Sequence, residues 1–136
     1  MDTIVQKLAA VSGLRHLEGC SQQQLEQAQK ELGINFPEEY IEYVTAFGAV
    51  CFFATEWTGL NVSGHLDVVH ATKQERSLDN AFPRDCFVVE NIGIDGLLTV
   101  MDECGKVYSY QYGKKSLLCD SLADYLIQCI ARKKQS

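Results

Sequence analysis

The sequence is short of most things that chemistry needs. No apolar run in its 136 residues approaches the roughly 20 that a membrane span requires. Its three histidines are badly placed for metal. His65 and His70 are five apart, which is not the i, i+4 spacing that sets two ligands on one helix face. His16 stands alone in a loop-like stretch, and all three read as turn or surface residues. The glycine-containing stretches VSG and TGLNVSG lack the lysine and the spacing of a phosphate loop, and there is no G-x-S-x-G elbow. None of the six cysteines, at 20, 51, 86, 104, 119 and 129, forms a C-x-x-C pair, so the usual zinc and thioredoxin spacings are absent. No metal, cofactor or catalytic residue is therefore expected. A Cys–His pair brought together in space stays open, and with it a small enzyme as an outside reading.

Basic charge is also scarce. Twelve Lys and Arg stand against 18 Asp and Glu, a net charge of −6. Arg132, Lys133 and Lys134 lie in the last five residues, so the body carries about −9. Such a body repels phosphate backbones, which counts against nucleic acid as a direct partner. It suits a basic partner, whose approach it would speed, although net charge also serves solubility alone.

Most cysteines sit in apolar runs such as VCFFA and DCFVVENI, where a free thiol behaves as a small buried hydrophobe. That usage fits a reducing compartment. Met1-Asp2-Thr3 puts no basic segment before an apolar stretch, so no signal peptide is read and the cytoplasm is expected. The length suits one domain over residues 1–136, large enough to bury roughly two-thirds of its unfolded surface without a staple. No repeat or low-complexity tract divides it.

The first half has helical periodicity. Ile4, Val5, Leu8 and Val11 share one face, and Ser12-Gly13 can end that helix. A second helix opens at Ser21 with Gln24 three residues on, which is a capping box. Leu25, Ala28 and Leu32 then recur, and Gly33 is free to close the helix left-handed. In the run LGINFPEEYIEYVTAFGAV, Pro37 is therefore a start and not a kink. It is placed at the first position of a third helix, with Glu38 and Glu39 opposing the positive helix end. Phe36, Tyr40, Val44 and Phe47 give that helix one apolar face, and Gly48 ends it.

The second half changes period. VCFFA (50–54), CFVVENI (86–92), LLTVM (97–101) and KVYSYQY (106–112) read as strands, the last three as an antiparallel meander turned by residues 94–96 and 102–105. Tyr108, Tyr110 and Tyr112 form an aromatic stripe on one strand face. Residues 65–80 read as a short helix and loop. Leu122, Tyr125, Leu126, Cys129 and Ile130 share a face of a final helix, with Arg132, Lys133 and Lys134 suiting its negative end. The expected class is α+β, with N-terminal helices and a C-terminal helix packed on a central antiparallel sheet covered on one face.

Several residues carry two readings. Glu38 and Glu42 are i, i+4 and read first as a solvated helix face. Asp95, Asp102 and Glu103 fall in turns at opposite ends of one strand. They either cap their own backbone or form an acidic rim for a basic partner. Trp57 is either core or an interface anchor.

The order of these pieces resembles the SUKH superfamily, which includes the yeast cell-wall-synthesis regulator and many bacterial immunity proteins. The resemblance covers about residues 20–130. Its residues are Phe36-Pro37 with Tyr40 and Gly48, then Thr72 with Arg76, then Val88 and Val89, then Asp102, Gly105, Val107 and Tyr108. Phe36 replaces the usual leucine, and Phe47-Gly48-Ala49 replaces Asn-Gly-Gly. The resemblance implies a non-catalytic binding module whose motif residues are scaffold. Bacterial members of this kind are cytoplasmic antidotes to a cognate polymorphic toxin, often a nuclease. On that reading Glu56, Trp57, Asp95, Asp102 and Glu103 are the candidate toxin contacts, and no membrane is involved. A regulatory or scaffolding module is the alternative.

Overall fold

The computed structural model describes residues 3–135, with side chains through Arg132. The reading of Met1-Asp2 and the dipole role of Lys133 and Lys134 fall outside the described residues and side chains.

Capping chemistry sets the first helices. Helix α1 (Ile4–Ala9) opens on a capping box, Thr3 with Gln6, in which each side chain accepts the other's backbone N–H at 3.2 and 2.8 Å. Helix α2 (Gln22–Leu32) opens on the expected Ser21–Gln24 box and closes at Gly33, φ +66°. Helix α3 (Glu38–Phe47) begins one residue later than the sequence predicts. Pro37 has ψ 153°, so it is the cap outside the helix, and its carbonyl accepts from the Ile41 N–H at 3.1 Å.

The strands form two sheets. The first joins β1 (Arg15–His16), β2 (Val50–Phe52) and β3 (Thr55–Trp57), antiparallel throughout. VCFFA is thus not one strand. Phe53, at φ +55°, and Ala54 make a tight turn that pairs Phe52 with Thr55. A 3-10 turn (Gly64–Leu66) and helix α4 (Val68–Leu78) follow. The second sheet is the expected meander, β4 (Cys86–Asn91), β5 (Leu98–Asp102) and β6 (Val107–Gln111), extended by β7 (Lys114–Cys119). Tyr112 is not on the aromatic strand face. It occupies the β6–β7 turn at φ +52° and is 79% exposed, which leaves Tyr108 and Tyr110 on the sheet. Helix α5 (Leu122–Gln135) closes the fold.

Both faces of the second sheet are covered at β4 and β5, where the sequence reading expects one. Phe87, Val89, Met101 and Val107 join the main core with α3 and α5. Cys86, Val88, Leu98, Val100 and Tyr110 form a second cluster with Phe82 and the Ala71 face of α4. A bulge between Val88 and Glu90 breaks the alternation. It lets Glu90 point, like Val89, to the α5 side.

Thr58, just after β3, ties the two sheets together. Its N–H donates to Val89 O at 2.8 Å, and its hydroxyl donates to Val88 O at 2.7 Å. The single hydroxyl hydrogen is thereby used, so Tyr40 Oη donates to Thr58 Oγ1 at 3.0 Å. Tyr43 Oη donates to Thr58 O at 2.7 Å and accepts from Val50 N–H at 3.2 Å. Burial pushes both phenols well above the ordinary tyrosine range. They remain neutral donors at any physiological pH. Beside this network two chain segments cross at backbone contact. Leu60 N–H donates to Gly48 O, Gly59 N–H to Leu66 O, and Val68 N–H to Gly59 O. A Cβ on Gly59 would lie 1.6 Å from Gly48 O.

Candidate partner-binding surface

The residues singled out from sequence do not form one surface. Glu56 is exposed on β3, with a carboxylate oxygen 3.6 Å from His65 Nε2. Asp95 is exposed in the β4–β5 turn at φ +50°, where its carbonyl accepts from Gln111 Nε2. Asp102 and Glu103 lie at the other end of β5. Asp102 is 8% exposed, and its carboxylate accepts from Cys104 N–H, Lys106 N–H and Tyr108 Oη at 2.8–3.0 Å. It holds the β5–β6 turn and has little left for a partner. Trp57 is fully buried, stacked on Tyr125 at 5.9 Å and edge-on to Tyr43 and Phe52. It anchors the core and offers no surface in this fold. Glu103 remains exposed, its carboxylate near Asn35 N–H.

The turn that carries Glu103 borders a different group of acids. Glu38, Glu39, Glu42 and Asp120, with Cys104 and Gly105 of that turn, line a cleft of 450 Å³. It forms where the starts of α3 and α5 meet, with Gly105 packed toward Pro37. Glu39 reaches across to accept from the Leu122 and Ala123 N–H groups, so it caps α5 as well as complementing α3. Among the described residues no ion pair neutralises Glu38, Glu42 or Asp120. The local pattern of Glu38 and Glu42 indicates only a solvated helix face. The cleft depends on Asp120 arriving from 80 residues away, and no short-range signal reports that.

The larger groove between α2 and α4, 1040 Å³, is of another character. It is lined by Gln23, Gln24, Gln27 and Asn61, and its Lys73 and Glu31 are paired at 3.3 Å. Its charges are largely internal.

The residues that carry the SUKH resemblance are all engaged in holding the fold. Tyr40 belongs to the Thr58 network. Thr72 Oγ1 accepts from Val88 N–H at 3.0 Å and ties α4 to β4, while Arg76 donates to Arg84 O. Gly48 takes φ +70°, with Glu18 O and Leu60 O against it. Asp102 and Tyr108 bond to each other. A family model described as SUKH_5, SMI1-KNR4 cell-wall, matches residues 1–131. The chain belongs to this SUKH family. No curated protein matches it.

Glu90, the most buried of the acids named so far, is where a catalytic reading of this SUKH chain meets the core. It is 5% exposed, and burial raises its carboxyl above the ordinary range against the opposing Tyr125 hydrogen bond and Arg132 charge. Such a shift is what a general acid or base shows. Yet its oxygens are taken up by Tyr125 Oη and by Arg132 Nη2, at 3.1 and 3.2 Å, and Arg132 also donates to Thr55 Oγ1. The neighbouring Cys129 thiol is pushed up to about 11, mainly by burial and then by Glu90, so it is not a nucleophilic thiolate near neutrality. Among the described residues no group of His, Cys, Asp and Glu is placed to hold a metal ion. The arrangement is a clamp that fastens α5 to β3 and β4. Arg132 thus has a specific partner, where the sequence reading gave it only the helix dipole.

The raised Glu90 sets a pH dependence. Its folded pKa lies above its unfolded one, so its contribution is fully present below the unfolded value, about 4.3, and is lost as pH rises through the folded value. Glu90→Gln keeps the acceptor and removes the titration. Urea midpoints measured from pH 4 to 8 should show wild type losing stability relative to the variant as pH rises. Parallel profiles would remove the shift.

Proposed function

We propose that this SUKH chain is a cytoplasmic immunity protein that binds and neutralises a cognate protein toxin of basic surface, such as a nuclease. The supporting observation is the acidic cleft between the starts of α3 and α5. Glu38, Glu42 and Asp120 converge there without an ion-pair partner among the described residues. A nuclease must be basic where it meets phosphate. An acidic concavity can therefore occupy the same ground, and its charge raises the rate of encounter. Glu103, next to the lining Cys104, extends the acidic rim. Family membership supports the same reading.

The test is co-expression with the toxin encoded beside this chain. The expected results are rescue of growth and a purified complex; neither appearing would refute the proposal. Charge reversal then locates the contact. Glu38→Lys with Glu42→Lys should lower the association rate on the order of tenfold or more at low salt, with the difference shrinking at high salt. The same reversal at Glu56 of the first sheet and Asp95 of the β4–β5 turn, at the end of the fold away from the cleft, is the matched comparison. A larger loss there would move the docking site to that end.

A further inference from the structure

The chain is poor in basic residues, yet it sets two arginines side by side. Arg76 lies in the last turn of α4, and Arg84 lies in the turn that leads into β4. Arg76 Nη2 donates to Arg84 O at 3.0 Å, which fastens the two segments together.

Neither charge is answered by the protein. The chain has 18 acidic residues, and none of those described stands within ion-pair distance of either guanidinium. The acids that flank the pair in sequence are turned to other donors. Asp79 accepts from Tyr110 Oη at 2.6 Å and from Ala81 N–H at 2.9 Å, and Asp85 accepts from the Cys86 thiol at 3.6 Å. Arg76 Nε–H is shut off from solvent and meets no acceptor among the described residues. Nothing on the protein side therefore offsets this guanidinium beyond the one bond to Arg84 O. Burial, and after it the charge of Arg84, holds the Arg76 guanidinium below the ordinary arginine range. Arg84 itself is exposed, so the pair is open to solvent on its side.

We propose that Arg76 and Arg84 form the seat of one phosphate group, as free phosphate or a small phosphomonoester. Two cations match a group that carries about −1.5 to −2 at pH 7, whereas a carboxylate would leave one of them unanswered. Guanidinium groups present forked N–H donors that fit phosphate oxygens. A nucleic-acid strand fits worse, because each further phosphate would meet the acidic body. The seat is separate from the acidic cleft. Helix α4 covers one face of the second sheet, and the cleft lies between α3 and α5 on the other.

The experiment titrates inorganic phosphate, at constant ionic strength, into the isotope-labelled chain alone and follows the amides by NMR. Saturable shifts should centre on Arg76, Arg84 and Asp85, with a dissociation constant on the order of 1 mM. Arg84→Gln, at an exposed position that leaves the backbone bond to Arg76 in place, should weaken binding about tenfold. Arg76→Lys keeps the charge but loses the fork, and it should weaken binding as well. Acetate should bind about tenfold more weakly than phosphate. No saturable response by about 50 mM phosphate overturns the proposal, as does an Arg84→Gln variant that binds like wild type. Acetate bound as tightly as phosphate would refute the phosphate assignment. A terminally phosphorylated RNA oligonucleotide bound far more tightly than phosphate would make the pair part of a nucleic-acid surface and equally overturn the proposal.

Discussion

Gly59→Ala should cost about 4 kcal/mol or more, among the largest effects that a single methyl can have. The added Cβ would stand 1.6 Å from Gly48 O, 2.7 Å from Gly48 C and 3.0 Å from Ala49 Cα, all of them backbone atoms that no rotamer change can move. Relief requires the two crossing segments to part. Parting them strains the bonds Leu60 N–H to Gly48 O, Gly59 N–H to Leu66 O and Val68 N–H to Gly59 O, each 2.8–2.9 Å. Overpacking alone costs about 1–3 kcal/mol, and each buried backbone group left unpaired adds about 1–3. For a chain of this size the melting temperature should fall by roughly 15 °C. A calorimetric shift of only a degree or two would mean that the crossing is looser than described.

Thr58→Val should cost about 2–4 kcal/mol, although the two side chains have nearly the same shape. Valine keeps the buried methyl contacts and removes one hydroxyl. Val88 O then loses its donor, and Tyr40 Oη loses its acceptor, inside a core where Tyr40 is fully buried. Thr58→Ser makes the complementary change. It keeps the hydroxyl and deletes a methyl, which should cost only about 1 kcal/mol. Urea unfolding of both variants separates the causes. Equal losses, or a larger loss for serine, would show that Thr58 acts by packing and not by bridging the two sheets.

Much of the fold is legible because its signals are local. Ser21 with Gln24, and Gly33 followed by Pro37, mark helix boundaries within four residues of chain. Thr3 with Gln6 has the same form and would have marked α1 equally well. The β2–β3 hairpin is hidden because its turn is Phe53-Ala54, which has none of the Gly, Asn or Pro chemistry that announces a turn. Strand β7 is hidden because it is exposed on both faces over most of its length, so Lys-Lys-Ser-Leu-Leu carries no alternation. The functional surface is hardest to read for a related reason. Glu38, Glu42 and Asp120 each have an adequate local role, and only the docking of α5 beside α3 makes them neighbours. The readings of Asp102 and Trp57 divide similarly. Both could be recognised as residues with a role, but only the fold shows Trp57 packed in the core and Asp102 bonded within its own turn.

Three of the contacts that hold helix α5 join it to the earlier chain through single side chains. Glu39 holds its first two N–H groups, Trp57 stacks on Tyr125 at the end of its first turn, and Glu90 grips Arg132 near its far end. All three partners come from the first 90 residues, and none can be satisfied before α5 exists. During synthesis the emerging chain therefore holds an open core with a buried-type carboxylate and a bare indole until residues through Arg132 have left the ribosome. Up to that point the nascent polypeptide is expected to expose the kind of apolar surface that chaperones bind. A premature stop between Leu122 and Arg132 should yield not a shorter working protein but one directed to degradation.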